Sequence, residues 1–228
     1  MDAVLSCSGV TRAYRRPGME PVVAVRDVHL RVEAGEFLAI QGPSGSGKTT
    51  LLGLMAGLEL ADEGDVWMLG HDASRMSSTE RARLRRSRMG LVFQSFGLVA
   101  SLTAIDNVAL PLTLSDVEPA DRRSRAANAM AEVGLDGMED ARIDEMSGGQ
   151  RQRLGVARAL VGEPVLILGD EPTGSLDDES AQTVLALLER TARARHASLV
   201  LVTHDPVSAA RADRRLWMRD GRVAEKPI

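Results

Sequence analysis

The chain has 228 residues, of which 44% are hydrophobic and 26% charged, an ordinary composition for a globular protein that argues against disorder. Its formal net charge of −4 argues against a general polyanion binder, because such proteins neutralise many phosphates with a basic surface, so we expect no nucleic-acid partner. No apolar run approaches the roughly 18 residues of a membrane span, so any membrane role would need a separate anchor.

Alternating apolar and polar residues predict strands in the first part of the chain, at 3–10 and 22–32. A short apolar strand is predicted at 37–40, and after a glycine-rich loop the apolar residues between Leu51 and Leu58 recur at helical spacing. The first strand contains Cys7, the only cysteine, which excludes an internal disulfide and is expected to be a buried strand residue.

The middle of the chain is predicted to be helical. A polar, arginine-rich helix at 77–88 leads into a strand at 89–94, and no convincing strand pattern appears before residue 165. Residues 95–162 are therefore predicted to form a helical insertion, in which Pro119 suits the first turn of a helix.

Strands and helices alternate again towards the end of the chain, with a strand at 165–168, a helix at 180–195, a strand at 199–203 and a hairpin in LWMRDGRV. This order predicts an α/β fold with a mainly parallel sheet and helices on its faces. With about 100 to 200 residues per domain, we expect one core carrying a sizeable insertion.

Lysine is rare in this chain, since only Lys48 and Lys226 stand against 26 arginines. The arginine clusters at 81–88 and 122–125 are interpreted as solvated helix faces. Lys48 instead lies in GPSGSGKTT, which has the pattern G-x-x-x-x-G-K-[ST]. Glycines let backbone N–H groups curl around an anion, and lysine carries a compact charge to the β- and γ-phosphates. We interpret phosphate geometry, rather than packing, as the reason for these residues; the alternative is a flexible turn with a stray lysine.

A magnesium site needs a carboxylate, and VLILGDEPTGSLD supplies one where an apolar strand leaves the sheet. Asp170 is predicted to hold Mg²⁺, which Thr49 can also reach with its hydroxyl. Glu171 is predicted to point off the opposite side of the chain and to align or deprotonate the attacking water. The alternative is that the two carboxylates are only a solvated strand end.

A second anion nest is predicted in MSGGQRQRLGVARAL, where Ser147 can cap a helix and Gly148 and Gly149 expose backbone N–H groups. Taken alone, this pattern is equally that of an ordinary capped helix.

Together these motifs resemble the ATP-binding cassette (ABC) ATPases over nearly the whole chain. GPSGSGKTT is similar to their Walker A loop, MSGGQ to their signature sequence and LILGDEP to their Walker B strand. Gln94 is similar to the Q-loop glutamine, and Asp177 in GSLD is similar to the D-loop. His204 is similar to the switch histidine, and Tyr14 is similar to the aromatic that stacks on adenine. Taken singly, Gln94, His204 and Tyr14 could be a surface amide, a satisfied strand-end histidine and a core aromatic. Met146 departs mildly from the family, which usually has leucine there.

The resemblance implies a P-loop NTPase core with a mainly parallel sheet, an antiparallel β portion near the N-terminus and a helical insertion. Residues 1–228 would form one nucleotide-binding domain, with the ATPase core at 1–94 and 163–228 and the helical subdomain at 95–162.

The resemblance also implies that ATP and Mg²⁺ bind, and that two copies pair head to tail in an ATP-dependent homodimer. The implied catalytic residues are Glu171, His204, Gln94 and Lys48, and the implied metal-binding residues are Thr49, Gln94 and Asp170. The implied nucleotide-binding residues are Tyr14, Gly42, Pro43, Ser44, Gly45, Ser46, Gly47, Lys48, Thr49, Thr50, Ser147, Gly148, Gly149, Gln150 and Asp177. In the dimer, the Ser147–Gln150 segment would contact the γ-phosphate of the ATP held by the other copy.

Within the family, two segments look like the subgroup associated with macrolide export, lipoprotein release and antimicrobial-peptide resistance: RLRRSRMGLVFQSFGLVASLTAIDNVALPL and DEPTGSLD. The cell-division ATPase of this subgroup is similar too. This implies an ATPase that drives separate integral membrane permease subunits from the cytoplasmic face of the membrane, with SFGLVASLTAIDNV as the candidate contact. An importer ATPase and a soluble, non-transport cassette remain alternatives.

Overall fold

The computed structural model describes residues 3–15, 17–18, 20–115 and 117–226. The chain divides into two compact units, the first made of Met1–Ala82 with Ser198–Ile228 and the second of Arg83–Ala197. Within the described residues, no helix combines the length and the apolar character needed to cross a membrane.

The secondary structure follows the alternation expected of an α/β chain. The strands are β1 (Leu5–Tyr14), β2 (Val22–Val32), β3 (Phe37–Gln41), β4 (Glu63–Met68), β5 (His71–Asp72), β6 (Met89–Phe93), β7 (Leu166–Asp170), β8 (Ser198–Thr203), β9 (Arg214–Arg219) and β10 (Arg222–Ala224). The helices are α1 (Lys48–Met55), α2 (Ser78–Arg88), α3 (Ala104–Thr113), α4 (Pro119–Glu132), α5 (Gly148–Leu160), α6 (Asp178–Ala194) and α7 (Pro206–Ala209).

The first unit contains an antiparallel sheet in the order β2-β1-β4-β5. In β1, the buried Leu5 and Cys7 alternate with more exposed residues, as the period of two in a half-buried strand requires. The antiparallel portion near the N-terminus is thereby confirmed, as is the burial of Cys7. In strands β4 and β5 of this sheet, apolar and polar residues alternate too little for the strands to be predicted from the sequence.

Parallel strands form the other sheet of the first unit, in which β3 pairs with β8 on one side and with β9 on the other. Residues 37–40 are buried throughout, and so is all of β8, which explains their continuous apolar character. Gln41 lies opposite Thr203, so the loops that follow β3 and β8 begin at the same edge of the sheet.

The second unit pairs β6 with β7 in parallel and adds the helices α3 to α6. The register places Phe93 opposite Asp170, so the segments that follow these two strands also begin side by side. Helix α5 buries Leu154, Ala157 and Leu160 on one face, as its apolar spacing predicts. Helix α4 begins at Pro119, as expected.

The structure corrects two expectations about surfaces. Helix α1 ends at Met55, and Leu58, which was expected on its apolar side, is 49% exposed. The arginine clusters are not wholly solvated, because the Arg81 guanidinium donates hydrogen bonds to the backbone carbonyls of Gly57 and Met76. Arg125 likewise donates to a backbone carbonyl, that of Val161. The charged end of each side chain therefore satisfies main-chain carbonyl oxygens instead of facing only solvent.

Candidate functional site

The glycine-rich loop of the first unit connects β3 to α1 and encloses its lysine. Lys48 is only 6% exposed, and its Nζ donates to the carbonyl oxygens of Gly42 at 2.8 Å and Pro43 at 2.9 Å. A buried ammonium group needs partners of this kind, because an unpaired charge is costly to desolvate. These bonds hold the positive charge of Lys48 at the loop that would receive phosphate.

Two glycines of this loop are required by packing, which corrects the expectation that phosphate geometry alone selects them. A Cβ atom at Gly42 would lie 2.1 Å from the Met218 carbonyl oxygen, and one at Gly47 would lie 2.0 Å from that of Ala24. Gly47 also has a φ of 105°, in the left-handed region that side chains disfavour. By contrast, Gly45 faces open space.

The loop fits a polyphosphate on two independent grounds. The Ser46 hydroxyl oxygen is buried and, within the described part of the chain, has no hydrogen-bond partner. Helix α1 starts in this loop with no acidic residue in its first turn, so the partial positive charge of its N-terminus is not neutralised there. The N-terminus of a helix in such a loop is suited to an anion.

The structure brings two further predicted residues of the first unit to this loop. The Tyr14 hydroxyl lies 3.5 Å from Thr50 Oγ1, and the tyrosine is 36% exposed rather than a core aromatic. His204 is exposed and directly follows Thr203, whose carbonyl accepts a hydrogen bond from the Gly42 amide at 3.3 Å.

Asp205, next to His204, starts the short helix α7. Burial opposes ionisation of this carboxyl, but hydrogen bonds from Ser208 and from the Val207 amide outweigh it and lower the pKa of Asp205. The backbone beside His204 is therefore held by an ionised cap.

In the second unit, the predicted catalytic residues Gln94 and Glu171 are neighbours. A Cβ atom added to Gly174 would lie 2.9 Å from Gln94 Nε2 and 3.6 Å from Glu171 Cβ. Glu171 has a φ of 45°, and its carbonyl accepts a bond from the Gly174 amide at 3.1 Å, so the chain turns back towards Gln94 directly after β7. This left-handed conformation, uncommon at a non-glycine residue, sets the direction in which the chain leaves β7.

The predicted second anion nest forms the N-terminus of α5. Ser147 Oγ accepts a hydrogen bond from the Gln150 amide at 3.2 Å, and Gln150 Oε1 accepts one from the Ser147 amide at 2.8 Å. This capping box leaves the serine exposed with a hydroxyl proton to donate. A cleft of about 220 Å³ separates this end of α5 from the start of α6, where Gly149 faces Ser180.

Asp177 caps α6, since its Oδ1 accepts a hydrogen bond from the Ser180 amide at 2.9 Å. This bond and the one from the Ser180 hydroxyl lower the pKa of Asp177, so the carboxylate is ionised at neutral pH. Its negative charge complements the N-terminus of α6.

The model of one protein family, described as ABC transporter, matches residues 25–174. That match covers more than half of the chain, including the glycine-rich loop, Gln94, the α5 nest and Glu171. The chain belongs to the ABC transporter ATPases. It therefore binds and hydrolyses ATP.

Relatives of this ABC ATPase match it along nearly its whole length. It is 42% identical over 222 residues to the lipoprotein-releasing system ATP-binding protein LolD of Psychrobacter arcticus, covering 97% of this chain and 98% of the relative. It is 39% identical to LolD of Chromohalobacter salexigens, covering 98% and 94%. The ABC transporter ATP-binding protein YxdL of Bacillus subtilis is 38% identical, with coverage of 98% and 86%.

Solved structures of the ATP-binding cassette MJ0796 share the fold, which confirms the P-loop ABC ATPase architecture. One, a dimer in a post-hydrolysis state bound to ADP and Pi, has a TM-score of 0.90 at 33% identity and covers 98% of this chain and 100% of its own. The other, a dimeric structure of the same bacterial ABC transporter cassette, also has a TM-score of 0.90, at 35% identity, with 96% of each chain covered.

Sequence reasoning missed the side chains that hold the segment after β6 in this ABC ATPase. Arg158 of α5 donates to the Phe96 carbonyl at 2.9 Å and also to that of Gly97, and burial lowers its pKa. The Arg151 guanidinium lies 5.5 Å from the centre of the Phe96 ring. From a sequence, arginines on a helix are interpreted as solvated. Only the fold shows that Arg158 and Arg151 contact the segment that follows Gln94.

Proposed function

We propose that this ABC ATPase works as a head-to-tail homodimer that encloses two ATP molecules. In this arrangement the Ser147–Gln150 segment of one copy faces the Lys48 loop of the other. The chain has two sites suited to anions, in different units, but only one of them contains a lysine. A triphosphate needs only one lysine loop, so the second site of each copy is left to contact the ATP held by the other copy, which supports the proposal. The dimeric state of the MJ0796 structures supports it too.

We propose that Thr49, Gln94 and Asp170 hold Mg²⁺. They offer a hydroxyl, an amide oxygen and a carboxylate, the hard oxygen donors that this ion prefers. The parallel pairing of Phe93 with Asp170 brings the last two of these residues to neighbouring strand ends. When bound, the ion would neutralise charge on the phosphates.

The remaining roles follow from residue chemistry. Glu171, next to Gln94, orients the attacking water and accepts its proton. His204 donates a hydrogen bond to the γ-phosphate, and Lys48 exchanges its loop carbonyls for phosphate oxygens. Tyr14 stacks on the adenine with the open face of its ring.

We further propose that hydrolysis drives a separate integral membrane permease that exports lipoproteins or related cargo, with the ATPase held at the cytoplasmic face of the membrane by that partner. The observation that carries this proposal is the 42% identity to a lipoprotein-releasing system ATP-binding protein over 97% of the chain. The segment between Ser95 and Val108, which leads from the Q-loop glutamine into α3, is the proposed contact with the permease.

Replacing Glu171 with glutamine tests the catalytic proposal. The Glu171→Gln variant keeps the shape but loses the base, so turnover should fall by about 10²-fold or more, the usual contribution of a general base. ATP binding should persist, and the variant should elute as a dimer in ATP and as a monomer without it. Glu163→Gln, at an exposed residue after α5, is the matched control. Wild-type turnover in Glu171→Gln would refute the assignment of the base.

The head-to-tail arrangement predicts that Ser147→Arg prevents dimer formation while leaving ATP affinity of the monomer unchanged. Light scattering with the Glu171→Gln background measures the first quantity, and calorimetry measures the second. For the transport proposal, tagged protein should retain an integral membrane subunit during purification from detergent-solubilised membranes. Recovery of ribosomes or DNA instead would favour the non-transport alternative.

A further inference from the structure

A carboxylate holds the hydroxyl of the tyrosine proposed to stack on adenine. The Tyr14 hydroxyl donates to the Glu59 carboxylate, whose two oxygens lie 2.7 Å and 2.9 Å away. Glu59 lies in the segment between α1 and β4, and its side chain is 33% exposed. Such a bond to an ionised acceptor is stronger than one between neutral groups, so it orders the end of the ring.

The same carboxylate belongs to a network that fixes the end of β1. Arg12 Nε donates to Glu59 at 3.3 Å, and Arg12 Nη1 donates to Asp62 at 2.8 Å. Asp62 also accepts a bond from the Ala13 amide at 2.7 Å. Arg12 and Ala13, the two residues that precede Tyr14, are thus tied to one short segment, 59–62.

The network also decides which face of the ring a ligand can use. The Arg12 guanidinium carbon lies over the Tyr14 ring, 5.2 Å from its centre. A cation in this position covers one face of the ring and is attracted to its π-electrons. A base must therefore stack on the other face, on a ring whose hydroxyl is already 3.5 Å from Thr50 of the phosphate loop.

From this geometry we infer that Glu59 is a positioning residue for nucleotide binding. It acts through Tyr14, which it holds ready for the nucleobase before ATP arrives, and this inference rests on the proposed stacking of Tyr14. When the ring is already ordered, ATP binding does not have to order this side chain, which would cost about 0.5 to 1.5 kcal/mol of conformational entropy. This energy corresponds to about a 2- to 12-fold change in affinity, at 1.4 kcal/mol per factor of ten.

The experiment compares Glu59→Ala and Glu59→Gln with wild type. We expect Glu59→Ala to raise the KM and the Kd for ATP about 2- to 12-fold with kcat unchanged, because the ring acts on binding and not on the reacting phosphate. Glu59→Gln keeps an oxygen that accepts from the Tyr14 hydroxyl and should recover much of the affinity. Glu63→Ala, at an exposed glutamate of β4, is the matched control and should behave as wild type.

A nucleobase-free probe separates ring positioning from general damage to the loop. Inorganic tripolyphosphate competes with ATP for the Lys48 loop without stacking, so its inhibition constant should be the same in Glu59→Ala as in wild type. Tyr14→Phe keeps the ring but loses the hydroxyl, so it should match Glu59→Ala, and the double variant should be no worse than either.

Three results would overturn the inference. If Glu59→Ala weakened the binding of ATP and of tripolyphosphate equally, the Glu59 carboxylate would support the Lys48 loop and not the Tyr14 ring. Loss of stacking predicts that Tyr14→Ala lowers the affinity for ATP about 5-fold or more. If it did so while Glu59→Ala bound ATP like wild type, Tyr14 would stack but Glu59 would have no positioning role. If Tyr14→Ala bound ATP like wild type, the proposed stacking itself would fail, and the inference with it.

Discussion

Replacing Gly174 with alanine tests whether the position of Gln94 controls ATP hydrolysis. Gly174 is exposed and follows the turn at Glu171, and its backbone φ is not positive. An alanine Cβ would lie 2.9 Å from Gln94 Nε2, whereas ordinary contacts begin at 3.4 Å. The glutamine amide must therefore move by roughly 0.5 Å, which reaches the tolerance within which catalytic groups must be held.

We expect this substitution to lower the rate of ATP hydrolysis and to leave the stability of the fold nearly unchanged. A displacement of about 1 Å can cost about 10²-fold in rate, so a shift of half that size should lower kcat about 10-fold. The KM for ATP should stay within about twofold, since the loop around Lys48 is unchanged. The free energy of unfolding should stay within about 1 kcal/mol, because the clash is with the end of a flexible side chain. Steady-state ATPase kinetics and urea unfolding measure these quantities.

Gly162→Ala is the matched control, because its Cβ would make an ordinary 3.5 Å contact and no catalytic residue is beside it. Gln94→Ala sets the maximum loss that displacement can cause. If Gly174→Ala and the bulkier Gly174→Val both kept wild-type kcat while Gln94→Ala lost activity, the position of the amide would not matter and the reasoning would be refuted.

Other predictions concern the loop and the antiparallel sheet. Lys48→Ala should weaken ATP binding by at least about tenfold in calorimetry, since a hydrogen bond to a charged group is worth roughly 1.5 to 3 kcal/mol; unchanged binding would contradict the phosphate assignment. Gly47→Ala places Cβ 2.0 Å from a carbonyl oxygen, so the urea midpoint should fall by an amount equivalent to about 2 kcal/mol or more, whereas Gly148→Ala, with open space around its Cβ, should unfold like wild type. Burial raises the pKa of Cys7 to about 12, so its thiol should react with a thiol reagent at pH 8 only at the rate of unfolding. Because that pKa lies above the unfolded value of about 8.5, wild type should lose stability relative to Cys7→Ala as pH rises above 8.5.

Much of the architecture can be predicted because it depends on local patterns. Alternating apolar residues located β2 at Val22–Val32, and a proline suited to the first helical turn located the start of α4. The order of the nucleotide motifs likewise predicted the ABC ATPase fold, since each motif is a short segment whose chemistry requires its own residues. Strands β4 and β5 lack such a pattern, and they are recognised only by their pairing with β1 and with each other.

The site shows the same division between local and long-range information. Anion binding at Gly42, Gly47, Lys48 and Ser147 was predicted from the sequence, because a glycine-rich turn before a helix exposes N–H groups wherever it occurs. The bounds of the helical subdomain stay a prediction, as do the roles of the individual site residues.

Residue types and their spacing thus determined that this protein is an ABC ATPase, and they predicted which side chains carry its chemistry. Only the tertiary structure decided that Gly42 packs on Met218, that Gln94 lies beside Gly174, that Arg158 holds the Phe96 carbonyl and that Glu59 holds Tyr14. The physical reason is that each of these contacts joins residues far apart in the chain. Their distances are set by the pairing of strands and the packing of helices, which no local pattern of residues encodes.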